Sequence, residues 1–408
     1  MPSAAPSIAI LTRQVTHYHH PRFEAAGQRL GNLHVISVAN EGKFAQVLAS
    51  DAPSGYTVHR MYQDLETYRA AVGQGALQTQ LCKRLNTIAP DVVAISGWAS
   101  PESYAALSWA RENARGVIVM SDSRAEDAPR NMLRDWIKGR VVQACDSALA
   151  AGQSHKSYLA QLGMPPENIR LGYDVVDNAY FREKGAAALR QADAIRSRLN
   201  LPASYILASG RFIAKKNLDM LITAYGQACE PLTAPPDLVI LGEGESRQTL
   251  ETMANDLTSG KVHLPGFTTF KELPALYALS RGFVHIPTSE QWGLVINEAA
   301  ATGLPIVASQ ECGAAQELVQ PGRNGWRVPA KNRDEIAKAL HAMMTLDDRS
   351  RHEMGAASQT IVSDWGPARF ADSLVQCAQI AIGSDKTLSF IDKAIIKAMR
   401  RRVIETVA

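Results

Sequence analysis

The sequence has few of the features that mark secreted, disulfide-stabilised or nucleic-acid-binding proteins. Its 408 residues include five cysteines, an odd number, without the spacing of a metal site: Cys82, Cys145, Cys229, Cys312 and Cys377. We therefore expect free thiols in a reducing compartment. The formal net charge of +3 is too small to indicate a nucleic-acid partner.

Long hydrophobic runs are missing as well. No segment approaches the roughly 18–20 apolar residues that a membrane-spanning helix needs. Residues 1–7 lack the charged start and the long apolar core of a signal peptide. These absences predict a cytoplasmic protein, which a surface feature can still hold peripherally at the inner face of a membrane.

What the sequence does contain is two series of apolar strands that alternate with helical patterns. In the first half, the predicted strands are residues 8–11, 33–38, 91–96, 116–120 and 148–152. In the second half, they are residues 205–209, 237–241, 261–264, 282–286 and 305–309. This alternation predicts α/β domains in which helices cover both faces of a mostly parallel sheet.

A charged, alanine-rich segment separates the two series and predicts a domain boundary. We place an N-terminal domain at residues 1–180, a linker at 181–203 and a C-terminal domain at 204–364. Residues 365–408 are expected to cross over and end in a basic helix that packs back on the N-terminal domain. Such domains bind ligands beyond the carboxyl ends of their strands, so the cleft between them is the expected site.

The most informative stretch, residues 287–305, holds two carboxylates separated by seven residues. Glu290 lies in a predicted loop, Gly293 at a turn, and Glu298 inside a helix that ends at Gly303. Helix amides and the helix dipole attract an anion, and carboxylates accept hydrogen bonds from hydroxyls. A nucleotide sugar presents hydroxyls at both ends and a diphosphate between them. The alternative interpretation is an ordinary helix with an exposed acidic face.

Two further strand-to-helix turns carry candidate binding residues. Arg211, Lys215 and Lys216 cluster at the start of a helix, where cations oppose the dipole unless an anion binds there. The alternative is a solvated basic turn. Gly242 and Gly244 form a G-x-G turn that allows close backbone approach to a ligand, although most such turns only end strands.

Together these segments resemble the C-terminal half of the retaining glycosyltransferases of glycosyltransferase family 4, the glycosyl transferases group 1. The resemblance covers about residues 203–345. The motifs that carry it are Gly210-Arg211 with Lys216, residues 242–244, 290–299, 303–309 and 322–325, and the segment 173–178 with Phe181. It implies the GT-B fold, in which two Rossmann-like, doubly wound parallel-sheet domains face a cleft.

The resemblance also implies roles for the donor side. The catalytic residues would be Glu290, Arg211 and Lys216. The donor-binding residues would be Glu298, Gly293, Leu294, Val295, Gly244 and Gly210. In this family the first glutamate contacts the donor sugar, the second contacts the ribose hydroxyls, and the cations hold the diphosphate. No Asp-x-Asp motif is found, and we expect no metal ion and no cofactor, the nucleotide sugar being a substrate.

The acceptor side is less well defined, because the N-terminal half matches the family less closely. Arg13 and His17 in the loop after the first strand, and Asp122 after the fourth, are the candidates. The group His17, His19 and His20 can also be interpreted as a metal site, but no carboxylate or cysteine is spaced to complete it. An ordinary surface loop is the remaining interpretation.

The C-terminal segment 386–403 carries six cations against Asp392, with apolar residues interleaved at helical spacing. The cations are Lys386, Lys393, Lys397, Arg400, Arg401 and Arg402. This pattern predicts either a basic amphipathic helix on an anionic membrane or a terminal helix packed on the protein with a solvated basic face.

The resemblance implies that the protein transfers a sugar from a UDP- or GDP-sugar to a glycan or lipid-linked acceptor, and we expect this to serve cell-surface polysaccharide biosynthesis. Two alternatives remain: a sugar-nucleotide epimerase of GT-B shape, and a non-catalytic subunit that binds nucleotide sugars. The paired glutamates with Arg211 and Lys216 favour transfer.

Overall fold

The computed structural model describes residues 6–39, 55–129 and 131–400. The chain divides into two compact units. The first takes the chain up to Val175 and again from Gly366, and the second takes residues Val176–Trp365. Each unit has its own sheet and its own apolar core.

The described residues of the first unit form a parallel sheet in the order β3-β2-β1-β4-β5-β6-β7. Its strands are β1 (Ile8–Thr12), β2 (Leu33–Ser37), β3 (Thr57–Arg60), β4 (Val92–Ser96), β5 (Gly116–Ser121), β6 (Ser147–Ala150) and β7 (Ile169–Leu171). Ile8 lies opposite Leu33 on one side and Val92 on the other. The strand order therefore reverses between β1 and β4, the position where ligands of such sheets bind.

Helices cover both faces of this sheet. They are α1 (His19–Leu30), α2 (Leu65–Gly73), α3 (Ala76–Ile88), α4 (Pro101–Glu112), α5 (Met132–Gln143) and α6 (Gln153–Gln161). Local sequence sets their starts: Asp64 and Thr67 form a capping box at α2, and Pro101 occupies the first turn of α4. Because both faces are covered, the inner strands are apolar throughout rather than alternating.

The second unit repeats this architecture. Its helices are α7 (Asn178–Leu189), α8 (Ala192–Leu199), α9 (Leu218–Cys229), α10 (Arg247–Asn255), α11 (Leu273–Ala278), α12 (Leu294–Thr302), α13 (Gly313–Leu318), α14 (Arg333–Met344) and α15 (Asp348–Val362). Its strands are β8 (Tyr205–Ser209), β9 (Asp237–Leu241), β10 (Val262–Gly266), β11 (Phe283–His285), β12 (Ile306–Ser309) and β13 (Gly325–Val328). The order is β10-β9-β8-β11-β12-β13, all parallel, with the reversal between β8 and β11.

The segment predicted as a linker, residues 181–203, differs in the structure. It holds most of α7 and all of α8, and both belong to the second unit. Asp177 caps α7 by accepting a hydrogen bond from the Tyr180 amide at 3.0 Å. Phe181 is fully buried, with its ring 6.2 Å from that of Tyr277. Because this segment is charged and rich in alanine, the sequence pattern does not indicate that α7 is a helix with one buried face.

Three strands that the apolar pattern does not predict lie at the edges of the sheets. They are β3, β7 and β13, each of three or four residues. An edge strand pairs on one side only and is partly exposed, so a short one carries little apolar signal.

The C-terminal residues belong to the first unit. Helix α16 (Pro367–Ala381) packs on α1 and on β5–β7, and the Ser147 hydroxyl donates to the Cys377 carbonyl at 2.8 Å. Helix α17 (Phe390–Met399) packs on α4 and α5, and Ile396 joins the core. Arg401, Arg402 and Val403 lie outside the described residues. Within residues 6–39, 55–129 and 131–400, no helix is long and apolar enough to cross a membrane.

Candidate donor site and acceptor-side loops

The predicted donor residues meet at the strand-order reversal of the second unit. The loop after β8 carries Gly210, Arg211 and Lys216, and the loop after β11 carries Glu290 and Gly293. β8 and β11 are adjacent parallel strands, so both loops leave the same edge of the sheet. Residues that are about 75 positions apart in sequence thereby become neighbours.

The G-x-G turn supports the loop after β8. Gly242 and Gly244 have φ of +144° and +154°, and a Cβ added to them would stand 1.9 Å from the Gly210 oxygen and 2.5 Å from the Phe212 oxygen. The Phe212 amide donates to the Glu243 carbonyl at 2.8 Å, and the Ser246 amide donates to the Phe212 carbonyl at 2.9 Å. The two glycines allow the loop after β9 to lie directly against the loop after β8. This contact fixes the backbone that carries Arg211 and Lys216.

Gly242→Ala should therefore destabilise the protein by about 3 kcal/mol or more, because the methyl group meets a backbone oxygen as well as a strained φ. Urea unfolding of the full chain measures the loss in the free energy of unfolding. Gly322→Ala is the matched control: its φ is +77°, but the space around it is open. It should cost only about 1 kcal/mol. Equal costs at the two positions would contradict the packing argument.

Lys216 and Glu290 form an ion pair that joins the two loops. His285, at the end of β11, lies beneath them with its Nε2 3.5 Å from Glu290 Oε2. Burial alone would raise the pKa of Glu290, but His285 and Lys216 together lower it to about 2. Burial lowers the pKa of His285 itself. The site thus holds an ionised carboxylate that is paired with Lys216 and lies beside a buried imidazole.

Arg211 differs from Lys216 in having an exposed side chain. It makes no ion pair with any carboxylate among the residues that the structure describes. An exposed guanidinium beside a paired lysine is a charge available to an anion, and its planar fork suits phosphate oxygens. Lys216 ends the turn (Ala214–Lys216) that precedes α9, and Arg211 lies three residues before that turn.

The start of α12 completes this group. Gly293 caps the helix with φ of +98°, and a Cβ there would stand 2.8 Å from Cys312 Sγ and 3.3 Å from Glu290 Cγ. The amides of Leu294 and Val295 have no hydrogen-bond acceptor in the described part of the chain, and both residues are partly exposed. Two free N–H groups at a helix N-terminus form a site for an anion.

The turn before α12 is held rigidly by the segment that follows β12. The Gly313 amide donates to the Glu290 carbonyl at 3.1 Å, and the Ala314 amide donates to the Trp292 carbonyl at 2.9 Å. The Cys312 thiol donates to the same Trp292 carbonyl at 2.9 Å, and the Trp292 indole N–H donates to Asn297 at 2.9 Å. Glu290 therefore projects from a backbone that has little freedom, which favours a positioning role.

Glu298 lies one helical turn further along α12 and is 1% exposed. The Tyr277 hydroxyl donates to its Oε2 at 2.7 Å. This bond fixes the orientation of the carboxyl group. Glu290 and Glu298 thus differ: the first is paired with a cation, and the second is held by a phenol.

Two residues of this site are not predicted by the sequence pattern. His285 stands in an apolar strand and Tyr277 in an apolar helix, and both sequences are typical of core elements. Neither residue type has a spacing rule that would link it to a glutamate 5 or 21 positions away. A histidine at the carboxyl end of a parallel strand is the one available signal for His285.

At the strand-order reversal of the first unit, Arg13 follows β1 and lies close to the start of α4. Its Nε is 3.5 Å from Glu102 Oε1, and its guanidinium lies 4.5 Å from the centre of the Tyr68 ring. The Tyr68 hydroxyl donates to the same buried glutamate at 2.7 Å. Arg13 is therefore oriented by Glu102 and Tyr68, and its acceptor role stays a prediction.

His17 and Asp122 also lie beyond the carboxyl ends of the first sheet. His17 packs with its ring centre 4.1 Å from that of Tyr18, and burial lowers its pKa to about 4. Asp122 directly follows β5. The pKa of the Tyr173 phenol is raised mainly by burial, then by Asp174, and then by Asp122, which is close enough to contribute. Their acceptor roles also stay predictions. Arg22, by contrast, is buried, and its Nε donates to the Val175 carbonyl at 2.9 Å.

The histidines of this loop should make the protein sensitive to acid. Burial, Arg22 and His17 lower the pKa of His19 to about 3, and Nδ1 of His19 accepts from the Thr16 amide at 3.3 Å. A folded-state pKa below the unfolded value of 6.5 means that the unfolded chain binds protons first. The contribution of these histidines to the free energy of unfolding is therefore fully present above about pH 6.5 and is lost as the pH drops. At pH 5 we expect a loss of about 1 kcal/mol for each of His17 and His19, since both stay partly exposed.

Urea unfolding at pH 7.5 and pH 5 measures this loss. His19→Asn keeps a side chain that can accept from the Thr16 amide but cannot be protonated, and it should remove about 1 kcal/mol of the loss between pH 7.5 and pH 5. An unchanged pH dependence in this variant would show that other groups carry it.

This chain is similar to known proteins in sequence and in fold. Residues 190–360 match the family model described as glycosyl transferases group 1. The chain carries a glycosyl transferases group 1 domain. This domain contains every predicted donor residue, from Gly210 to Glu298, and ends within α15. The resemblance inferred from the motifs is confirmed, while Arg13, His17 and Asp122 lie outside the domain.

Curated relatives of the group 1 domain differ widely in size. A probable sucrose-phosphate synthase of rice is 33% identical over 252 residues, which are 56% of this chain and 26% of the rice protein. A GDP-mannose-dependent phosphatidylinositol monomannoside mannosyltransferase of Mycobacterium tuberculosis is 28% identical over 200 residues, 47% of this chain and 50% of that protein. The chain thus spans between about a quarter and a half of these two relatives.

Solved structures match across both units. A structure of HepE from Anabaena, in complex with UDP and glucose, covers 90% of this chain and 98% of its own, with a TM-score of 0.68 and 18% identity. At this identity the likeness concerns the fold. The fold surrounding the group 1 domain is GT-B, as the motifs predict.

Proposed function

We propose that this protein is a retaining, metal-independent glycosyltransferase that moves a sugar from a UDP- or GDP-sugar to a glycan or lipid-linked acceptor. The observation that carries the proposal is the Lys216–Glu290 ion pair, which joins the loop that carries the exposed Arg211 to the turn that leads into α12 and its free amides. Cations, helix amides and carboxylates are the groups that a nucleotide diphosphate sugar would need.

In the proposed reaction, the bond between the anomeric carbon of the sugar and the β-phosphate oxygen breaks. The acceptor hydroxyl oxygen forms the new bond from the same face of the sugar, and its proton passes to a phosphate oxygen of the leaving nucleoside diphosphate. Negative charge grows on that diphosphate. Arg211, Lys216 and the amides of Leu294 and Val295 stabilise it, and stabilisation of this kind by prearranged groups is usually the largest single contribution to catalysis.

The carboxylates take the two ends of the donor in this proposal. Glu290, ionised and fixed by Lys216 and His285, accepts hydrogen bonds from the sugar hydroxyls and orients the anomeric carbon. Glu298, held by Tyr277, accepts from the ribose hydroxyls. The fixed cations and amides also supply the charge that a divalent ion would otherwise bring to the diphosphate.

The relatives support this proposal at a coarse level. One is described as GDP-mannose-dependent, and the HepE structure contains UDP, so neither base is favoured for this chain. The phosphatidylinositol monomannoside in the name of the mycobacterial relative supports a lipid-linked acceptor.

A donor–acceptor screen with product analysis tests the proposal. Purified protein is mixed with UDP- and GDP-sugars and with glycan and lipid-linked acceptors, and nucleoside diphosphate release is followed with and without EDTA. The product should carry the anomeric configuration of the donor, and EDTA should leave the rate unchanged. A new nucleotide sugar without transfer would indicate an epimerase, and donor binding without turnover would indicate a non-catalytic subunit.

A further inference from the structure

We propose that helices α5 and α17 together form a docking surface for an anionic lipid bilayer. The surface, here called the α5–α17 patch, consists of Met132, Leu133, Trp136, Phe390 and Ile391 with the flanking cations Arg134, Lys393 and Lys397. The proposed docking does not depend on glycosyl transfer and can be tested without a donor or an acceptor.

The patch contains most of the exposed large apolar side chains in the described part of the chain. Met132 is 92% exposed, Leu133 66%, Trp136 50%, Phe390 87% and Ile391 50%. Single exposed apolar residues are common, but five on two touching helices are not scattered. Apolar side chains that remain in water without packing on their own protein indicate a surface that another phase or molecule covers.

Contacts between the two helices make the patch continuous. Arg140 of α5 bonds to the start of α17: its Nε donates to Asp392 at 2.8 Å and its Nη2 donates to the Ser389 hydroxyl at 2.9 Å. Trp136 lies one turn before Arg140 on the same helix face, and Phe390 adjoins Ser389. The exposed apolar residues of both helices therefore lie on either side of one junction.

The charges around the patch are positive and available. Arg134, Lys393 and Lys397 are exposed, and none makes an ion pair with a carboxylate among the residues described. The one acid on α17, Asp392, is paired with Arg140. Lys386 donates to the Gln143 carbonyl at 3.0 Å and so belongs to the fold. Of the cations in the C-terminal segment, Lys393 and Lys397 are thus free to contact an anionic surface. Arg134 of α5 is a third such cation.

This combination favours a bilayer over a second copy of the chain. A symmetric dimer formed through the patch would bring the lysines and arginine of both copies into one interface, where like charges would repel. An anionic bilayer offers headgroups to the cations and an apolar interior to the tryptophan, phenylalanine and aliphatic side chains.

The position of α5 links the patch to the acceptor side. Helix α5 begins after β5, and a helix that follows a parallel strand starts near the carboxyl edge of the sheet. Asp122, one of the predicted acceptor residues, follows β5 at the same edge. If the proposed function is correct, docking would bring this edge close to a lipid-linked acceptor in the bilayer.

Co-sedimentation with vesicles tests the docking. We expect the protein to bind phosphatidylcholine vesicles that contain about 30 mol% phosphatidylglycerol at least tenfold more tightly than vesicles of phosphatidylcholine alone. Binding should weaken severalfold when salt rises from about 0.1 M to 0.5 M. The double variant Trp136→Ser/Phe390→Ser and the double variant Lys393→Glu/Lys397→Glu should each lower binding at least tenfold.

Phe267→Ser is the matched control, because Phe267 is 65% exposed but lies in the second unit. It should bind vesicles like the unaltered protein. Melting curves establish that each variant is folded, and light scattering gives its mass. Binding that is equal on neutral and anionic vesicles, or that survives both double variants, would overturn the proposal. A dimer that the Trp136→Ser/Phe390→Ser variant converts to a monomer would overturn it too, in favour of a subunit interface.

Discussion

Lys216→Met should lower kcat/KM for glycosyl transfer by about 100- to 1,000-fold, the usual loss when one fixed donor to a developing oxyanion is removed. The ammonium of Lys216 pairs with Glu290 in the turn that leads into α12, and in the proposed mechanism it stabilises the charge that grows on the leaving diphosphate. The change also leaves the Glu290 carboxylate partly buried without its cation. Release of nucleoside diphosphate in the presence of acceptor gives the rate.

Two further variants make this result specific. Lys338→Met removes an exposed lysine on α14 and should leave kcat/KM within about twofold. Lys216→Arg keeps the positive charge and should recover part of the rate, although the guanidinium cannot reproduce the position of the ammonium. Full activity of folded Lys216→Met would remove this lysine from the proposed mechanism.

Glu298→Gln and Glu290→Gln should separate nucleotide binding from transfer. Glu298→Gln should weaken nucleoside diphosphate binding by about 10- to 100-fold, because charge-assisted hydrogen bonds to the ribose are lost. Glu290→Gln should leave nucleoside diphosphate affinity within about threefold and reduce kcat by about 100-fold, since the proposed contact of Glu290 is with the sugar. Calorimetric titration with UDP and GDP measures the affinities.

The two substitutions control for each other, since each removes one charge from the same helix or its leading turn. Tyr277→Phe adds a third comparison: it keeps the Glu298 carboxylate but removes its 2.7 Å hydrogen bond. We expect it to weaken nucleoside diphosphate binding by about tenfold. Equal loss of nucleoside diphosphate affinity in Glu290→Gln and Glu298→Gln would refute the assignment of the two ends of the donor.

The GT-B fold can be predicted from the chain because its signals are local. Strands β8 and β9 and the long inner strands of the first unit are continuous apolar runs, and the motifs from Gly210 to Gly303 lie at strand ends and helix starts. The helix stop at Gly303 and the strand after it are predictable too, since glycine in the left-handed region ends a helix. The edge strands β3, β7 and β13 and helix α7 are not predicted, because partial burial and alternating charges blur the apolar period.

The residues of the donor site can likewise be predicted from the sequence, because residue type and loop position are sequence properties. The motifs alone name Glu290, Glu298, Arg211 and Lys216. They do not determine which of these residues touch. Strand order brings Lys216 to Glu290 and leaves Arg211 free, and helix packing places Tyr277 on Glu298.

The same division holds for the C-terminal helix. Its basic and amphipathic character is a property of its sequence. The tertiary structure shows that Arg140 contacts Asp392, that Lys386 bonds to a backbone carbonyl, and that the apolar side chains of α5 are exposed. Hydrophobic periodicity and turn residues act over a few positions and determine the elements. The pairing of charges across 74 positions, or of α5 with α17, depends on how the elements pack, and only the tertiary structure decides it.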